Sequence, residues 1–543
     1  MENNDKYEEL TKYYALNKGA DRLERDINNL AKEGMSRDEA VNYLYDKVFK
    51  GEGHRMSRKT ALTLIALIIV IIAAVPTYYF ISSANVRKAK IGNPSNTLIG
   101  MEYETWFGPT VNNWAGREAT PILGLYNSTN ATVIRQEADW LIWAGVNFII
   151  IDWSNNWGAN WQNGVAWYII NATSDLFTVY HEMALEGHTV PKITILLPYA
   201  PNTGATVSEV QYQANWIYKH YIENASYNSL WLYYLGKPLI LMYTNGPNPS
   251  APHFWEDPNF TVRYMAAFLE VGNPYGDWSW IDDGIPPVVV YNHGYPEAVT
   301  VTVAWSYYPF PVMGRNNGAT YLEEWQTPLQ AKPSFIIINQ WNEFAKPDQT
   351  NVEYSNDIEP TRLGGKSANG TIGGWGYYYL VLTKALIDLY RGVTPNATIM
   401  AISNPLNGTS LSGDDLQVNW TYVGQRPNSF TILLNGKVVA EDVQGTPYLI
   451  EDSSPNHLIN VKVLTYELEL ASLTPGHWYQ LTLIANGAKS YFNLTAAYQS
   501  LVNETSQGLP CESTIYFYYE RMVPTKLAPR GCVCYAMIAW RCP

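Results

Sequence analysis

The residues best suited to chemistry lie where a short apolar run breaks off. Ser334-Phe-Ile-Ile-Ile-Asn-Gln-Trp-Asn-Glu-Phe344 passes from β-branched side chains straight into amide, indole and carboxylate groups. An apolar run of this length reads as a strand buried on both faces, as in a parallel sheet. Polar residues at the C-terminal end of such a strand are where a βα barrel keeps its chemistry. Glu343 is the carboxylate of this stretch, and carboxylates cleave glycosidic bonds. Other strand ends repeat the pattern. Glu102, Glu104 and Trp106 stand in Gly100-Met-Glu-Tyr-Glu-Thr-Trp-Phe107, and Asp152-Trp153, Tyr199, Tyr243 and Trp305 each close an apolar run. Acidic and aromatic residues together suit a sugar, because rings stack on its apolar faces while carboxylates take its hydroxyls. Any single Trp here serves core packing equally well, and any single acid a salt bridge. Their joint placement at strand ends favours the functional reading, with Asp152, Glu102 and Glu104 binding hydroxyls or supplying a proton.

Other chemistries find little in the chain. His181-Glu182 with His188 lacks the i, i+4 histidine pair of a zinc helix, and neither a serine elbow nor a phosphate loop is present. The cysteines, Cys511, Cys532, Cys534 and Cys542, fall in the C-terminal tail, which excludes a thiol nucleophile from the main fold. No cofactor and no metal is expected. The net charge of −13 argues against nucleic acid as a partner.

The elements that must position these residues alternate from Leu98 to about Arg391. Thr132–Ala144 has helical spacing, Gly145 ends it, and Phe148–Ile151 follows as a buried strand. Strands at Lys192–Leu197, Pro238–Met242 and Val299–Ala304, and helices at Val207–Ile222, Thr320–Ala331 and Tyr377–Tyr390, continue the pattern. Repeated βα units over this length predict a (β/α)8 TIM barrel over residues 97–392. An open doubly wound sheet is the alternative, but its Gly-rich phosphate loop is missing.

Around the barrel the chain reads as five further segments. Residues 1–59 carry balanced charge and predict a small helical segment, with a capping box at Ser36-Arg-Asp-Glu39. Residues 60–82 form an apolar run that predicts a transmembrane helix, a single-pass membrane anchor. Residues 83–96 read as a linker. Eleven Asn-x-Ser/Thr sequons follow the run and none precedes it, which predicts a cytoplasmic N-terminus and extracellular C-terminal domains at the cell membrane. Residues 393–500 turn to short alternating strands. Leu416-Gln-Val-Asn-Trp420 and Leu473-Thr-Pro-Gly-His-Trp-Tyr479 resemble a fibronectin type III module, an all-β sandwich, in which the Trp is a core residue and the Tyr makes a tyrosine corner. Residues 501–543 read as a cysteine-containing tail.

Three motifs carry a second resemblance. Asn342-Glu343-Phe344, Asp357-Ile-Glu359-Pro360-Thr361 and Gly374-Trp-Gly-Tyr-Tyr-Tyr-Leu380 resemble the glycoside hydrolase family 99-like proteins, which include endo-α-mannosidases and endo-α-mannanases on TIM barrels. Gly314–Trp325 resembles the family's run before the strand. The resemblance spans roughly residues 98–392. It implies that Glu343 acts on a sugar 2-hydroxyl in a retaining mechanism through an anhydro-sugar, and that Asn342 and Glu359 bind substrate. The family's second glutamate, the general acid, falls on Lys346. A lysine cannot supply a carboxylic acid's proton at its ordinary pKa. Asp348, Glu353 and Asp357 lie nearby, and Asp348 is the candidate acid. The expected function is a membrane-anchored glycoside hydrolase acting on a polysaccharide or glycoprotein glycan with α-linkages. The alternative is a non-catalytic barrel that binds glycans or serves a structural role.

Overall fold

A computed structural model of the chain describes residues 6–7, 10–11, 22–32, 34–50, 96–108, 113–158, 164–198, 205–244, 255–266, 276–282, 284–306, 312–344, 351–454, 457–470, 472–488, 512–520, 533–535 and 539–541. Two compact units divide at residue 88.

In the first unit, helix α1 (Arg22–Lys32) and helix α2 (Arg37–Tyr45) bury Leu23, Ile27, Val41 and Leu44 against one another and Leu10. Ser36 and Glu39 form the reciprocal capping box at the start of α2. The apolar run at 60–82 lies outside the described residues. Among the described residues no helix is long and apolar enough to cross a membrane. The expected single-pass anchor, and the extracellular location built on it, are therefore withdrawn.

The second unit opens with a barrel. Its strands are β1 (Leu98–Tyr103), β2 (Phe148–Asp152), β3 (Lys192–Leu197), β4 (Lys237–Thr244), β5 (Thr261–Ala266), β6 (Trp278–Ser279), β7 (Tyr295–Thr302) and β8 (Phe335–Asn339). They pair in the order β6-β5-β4-β3-β2-β1-β8-β7, every ladder parallel. The Thr300 hydroxyl in β7 donates to the Ser279 carbonyl in β6 at 2.6 Å, bringing the ends together into a nearly closed cylinder. Strands such as FIIID and FIIIN are buried at every residue, because one side faces the cylinder interior and the other the surrounding helices. Inside, Gly100 leaves room for the Phe148 ring: a Cβ there would lie 2.2 Å from it.

The helix count departs from the expected eightfold alternation. Among the described residues five α-helices flank the barrel: α3 (Ala131–Ala144), α4 (Val165–Leu185), α5 (Val207–Ile217), α6 (Ala319–Ala331) and α7 (Tyr378–Arg391). Asn130 caps α3 through the Thr132 amide, and Gly145 closes it with φ +91°. Between β6 and β7 the chain instead carries Ile285-Pro286-Pro287 and a tight antiparallel hairpin (Val290–Asn292 on β7). Prolines lack the amide a helix needs, so a helical crossover cannot form there.

Beyond the barrel, two sheets pack face to face. One joins β9 (Thr398–Asn404), β11 (Asp415–Gly424), β15 (His457–Glu469) and β14 (Thr446–Ser454). The other joins β10 (Thr409–Leu411), β17 (Glu512–Tyr519), β16 (His477–Asn486), β12 (Ser429–Leu434) and β13 (Lys437–Val443). Trp420 is fully buried between them, and the Tyr479 hydroxyl bonds the Thr474 backbone. The nine strands include β17, from the segment read as a tail. A fibronectin type III assignment is not supported by this arrangement. The barrel's α6 docks on the sandwich, where Glu323 meets Thr421 and the Asn317 amide donates to the Ile402 carbonyl at 2.8 Å.

Candidate active site

Parallel pairing of β8, β1 and β2 sets three strand ends side by side, and their acids converge. Glu102 and Glu104 end β1, Asp152 ends β2, and Glu343 follows β8. Glu102 and Glu104 are buried and Asp152 is 7% exposed, whereas Glu343 is half-buried. Side-chain amides organise them. Asn339 donates to Glu102 Oε2, and Asn356 Nδ2 donates to Asn339 Oδ1 at 2.5 Å. Gln340 Nε2 and Asn356 Nδ2 both donate to Glu343 Oε2, at 2.6 and 3.4 Å. The Asn339–Gln340 peptide is cis.

Burial and mutual repulsion make Glu102, Glu104 and Asp152 hold their protons more tightly than ordinary carboxyls. Burial lifts Glu104 well above the usual carboxylate range, and the charges of Asp152, Glu343, Glu102 and Asp357 add to it. Glu102 is raised in the same way by burial, against the Asn339 hydrogen bond, with Asp152 and Glu343 adding to the rise. Asp152 is pushed up to about 6 by burial, held back by hydrogen bonds from the Ser154 amide and hydroxyl and from Glu104. Burial also raises the Tyr243 hydroxyl, which senses both Asp152 and Glu343.

The aromatic candidates separate into two groups. Trp106 and Tyr243 are half-buried at the strand ends. Trp153 and Trp305 are fully buried. Trp153 donates its indole N–H to Thr173 Oγ1 at 3.0 Å, and Trp305 pairs its backbone with Met313. Asn342 and Glu359 are also fully buried. Asn342 Oδ1 accepts from the Glu104 amide at 2.7 Å, and Glu359 Oε2 accepts from Tyr126 at 2.7 Å. Tyr199, Lys346 and Asp348 lie outside the described residues.

Several site residues escaped the sequence reading. Asn339 and Gln340 stand in the polar end of the very stretch that carries Glu343, which was signal enough. Asn356 precedes the Asp-Ile-Glu-Pro motif, whose Asp357 the sequence offered only as a carboxylate near Lys346. Asp357 Oδ1 accepts from the Phe344 amide at 3.1 Å and fixes the turn after Glu343. Tyr126 and Glu137 carry no local signal. Among the described residues no group of three His, Cys, Asp or Glu side chains is placed to hold a metal ion.

No family model matches the chain, and no curated protein matches it. Among solved structures, it is similar to the GH99 endo-alpha-mannosidase from Bacteroides thetaiotaomicron, at 16% identity over 55% of this chain and 99% of that one, with a TM-score of 0.39. It is similar to a glycoside hydrolase-like protein at 12% identity over 54% and 94%, TM-score 0.35. It is also similar to the endo-beta-1,4-mannanase from Thermotoga petrophila, at 9% identity over 78% and 98%, TM-score 0.37. These neighbours are glycoside hydrolases or glycoside hydrolase-like. At such values the likeness fixes neither activity nor substrate, and the functional reading rests on the site.

Proposed function

We propose that the chain is a glycoside hydrolase acting on α-linked, mannose-containing glycans. The observation that carries this reading is the convergence of Asp152, Glu102, Glu104 and Glu343 at neighbouring strand ends. Glu343, oriented by Gln340 and Asn356, is the carboxylate that acts as base or assists the nucleophile. Asp152, raised to about 6 by burial, is the general acid and fills the role that Lys346 leaves open. Glu104, still protonated, donates to Asp152 and stabilises it once its proton has gone to the leaving oxygen. Trp106 and Tyr243 offer ring faces to the sugar.

The position of Lys346 favours a second reading, in which the barrel binds glycans without cleaving them. One experiment separates the two. The purified full chain is incubated with soluble α-mannan, and reducing ends and bound polymer are measured together. Hydrolysis by the unsubstituted chain, lost by about 10³-fold in Glu343→Gln and Asp152→Asn while binding persists, is the expected outcome. Binding without any release of reducing ends would favour the second reading, and release undiminished in Glu343→Gln would rule this site out.

A further inference from the structure

Behind β1, on the side away from the acid cluster, lies a second pair of carboxyls. Glu137 comes from α3 and Glu359 from the chain after β8, and both are buried. Tyr103 donates to Glu137 Oε2, and Tyr126 donates to Glu359 Oε2 at 2.7 Å. Glu137 Oε1 and Glu359 Oε1 have no hydrogen-bond partner among the described residues. The Glu137 charge adds to the rise at Glu359, as expected for two buried carboxyls near one another. Burial raises both, Glu137 to about 7.

A continuous hydrogen-bonded chain leads from this pair to the acid cluster. The Glu359 backbone is clamped at both ends: its amide donates to the Trp341 carbonyl at 2.9 Å, and its carbonyl accepts from Trp375 Nε1 at 3.0 Å. Its carboxyl thereby fixes the Tyr126 hydroxyl. That hydroxyl spends its only proton on Glu359 and accepts from Asn342 Nδ2 at 3.1 Å. Asn342 in turn grips both backbone polar groups of one residue, taking the Glu104 amide at 2.7 Å and donating to the Glu104 carbonyl at 3.1 Å. Asn342 also immediately precedes Glu343. One amide side chain therefore registers the strand end that carries Glu104 against the turn that carries Glu343.

We infer that Tyr126 and Glu359 are positioning residues, a buried strut that acts through Asn342 to hold Glu104 and Glu343 in register without touching the glycan. The inference rests on the reading of the acid cluster as a catalytic site, and it differs from the expectation that Glu359 and Asn342 bind substrate. Removing the Tyr126 hydroxyl leaves one of the two Asn342 Nδ2 hydrogens without an acceptor and loosens the grip on the Glu104 peptide, since a buried N–H without a partner seeks another arrangement.

The test uses the full chain, Tyr126→Phe and Glu359→Gln, with two readouts. The first is amide hydrogen exchange of the Glu104 N–H. Tyr126→Phe should speed it by about 10-fold or more while exchange in β2 is unchanged. The second is hydrolysis of soluble α-mannan. Tyr126→Phe should lower kcat by about 10- to 100-fold with KM altered less than about threefold. Glu359→Gln keeps an acceptor for the Tyr126 proton and should recover to within about threefold of the unsubstituted rate, whereas Glu359→Leu should not. Unchanged Glu104 exchange in Tyr126→Phe overturns the strut whether or not the chain is active. A loss confined to KM overturns it in favour of direct glycan contact. A chain that hydrolyses nothing, yet shows faster Glu104 exchange, keeps the strut and sinks the enzymatic reading alone.

Discussion

At the neighbouring ends of β1 and β2, the charge of Asp152 adds to the burial that lifts the Glu104 carboxyl. With both acids ionised, the two Glu104 oxygens would be buried and without a donor. Once Glu104 holds the proton that burial imposes, it becomes the donor and the pair is satisfied. Two acids one strand apart thus take different states: Glu104 stays neutral, and Asp152 titrates near pH 6.

Under the proposed function, this difference predicts an acid-dependent activity. In the proposed role of general acid, Asp152 would work only while protonated, so kcat should fall as pH rises past about 6. A pH–rate profile checks this limb, which Asp152→Asn should remove together with most of the activity. A profile that climbs steadily from pH 5 to 8 would place the acid elsewhere.

The same group predicts how stability changes. Asp152 holds its proton more tightly folded, at about 6, than its ordinary value of 3.8. Its contribution is therefore fully present below that ordinary value and is lost as pH rises towards 6, by about 3 kcal/mol. Glu102 and Glu104 act in the same direction. Thermal denaturation from pH 4 to 8 should show Asp152→Asn gaining on the unsubstituted chain as pH rises. A gap that narrows with rising pH would contradict the raised value.

The aromatic residues should divide by burial. Trp153 is sealed and hydrogen-bonded, so Trp153→Ala should cost about 3–5 kcal/mol of stability in chemical denaturation. Half-buried Trp106 should behave differently. Trp106→Ala should weaken α-mannan binding by about 10-fold, measured by titration calorimetry, with a smaller change in stability. Equal affinity in Trp106→Ala would remove it from the glycan surface.

The opposite end of the barrel carries a structural acid. Glu297, at the start of β7, accepts from Arg263, from Trp278 Nε1 at 3.0 Å, from Asn292 at 2.8 Å and from Tyr234 at 2.8 Å. Burial pushes its pKa up, but the Arg263, Trp278 and Asn292 bonds outweigh this and the net shift is downward. Its stabilisation is therefore present at neutral pH and lost on acidification, opposite in sign to Asp152. Glu297→Ala leaves the partly buried Arg263 guanidinium without its carboxylate and should cost about 2–3 kcal/mol. The kcat of the folded fraction should stay unchanged, which activity normalised to folded protein would test.

Inside the cylinder, Gly100→Ala would drive a methyl into the Phe148 ring. A loss of about 1–3 kcal/mol is expected, partly recovered when Phe148→Leu is added. Additive losses in the double variant would show that the two positions do not compete for space.

The pieces of this protein were legible wherever a local pattern carried them. The runs of β2, β3 and β8 show as short stretches rich in Ile, and the Asn130 and Gly145 caps of α3 as single residues with defined backbone roles. Glu343, Asp152, Glu102 and Glu104 showed because each stands where an apolar run stops. The absence of a helix between β6 and β7 among the described residues did not show, since periodicity elsewhere suggested a regular repeat that Pro286 and Pro287 interrupt. The expected anchor was drawn from hydropathy alone, and no described helix supports it.

By itself, then, the sequence determined a parallel barrel and a set of acids at its strand ends, because alternation and burial are written residue by residue. Only the tertiary structure decided which acids meet, which of them lose water and so keep a proton, and which stand behind the wall. Asn342 and Glu359 look like site residues in the chain, yet they are buried and turned towards Tyr126. Tyr126 looks like nothing in the chain, yet it joins the two. The reason is physical: desolvation and hydrogen-bond partners belong to positions in space, and residues as far apart as Tyr126 and Glu359 acquire them only when the barrel closes.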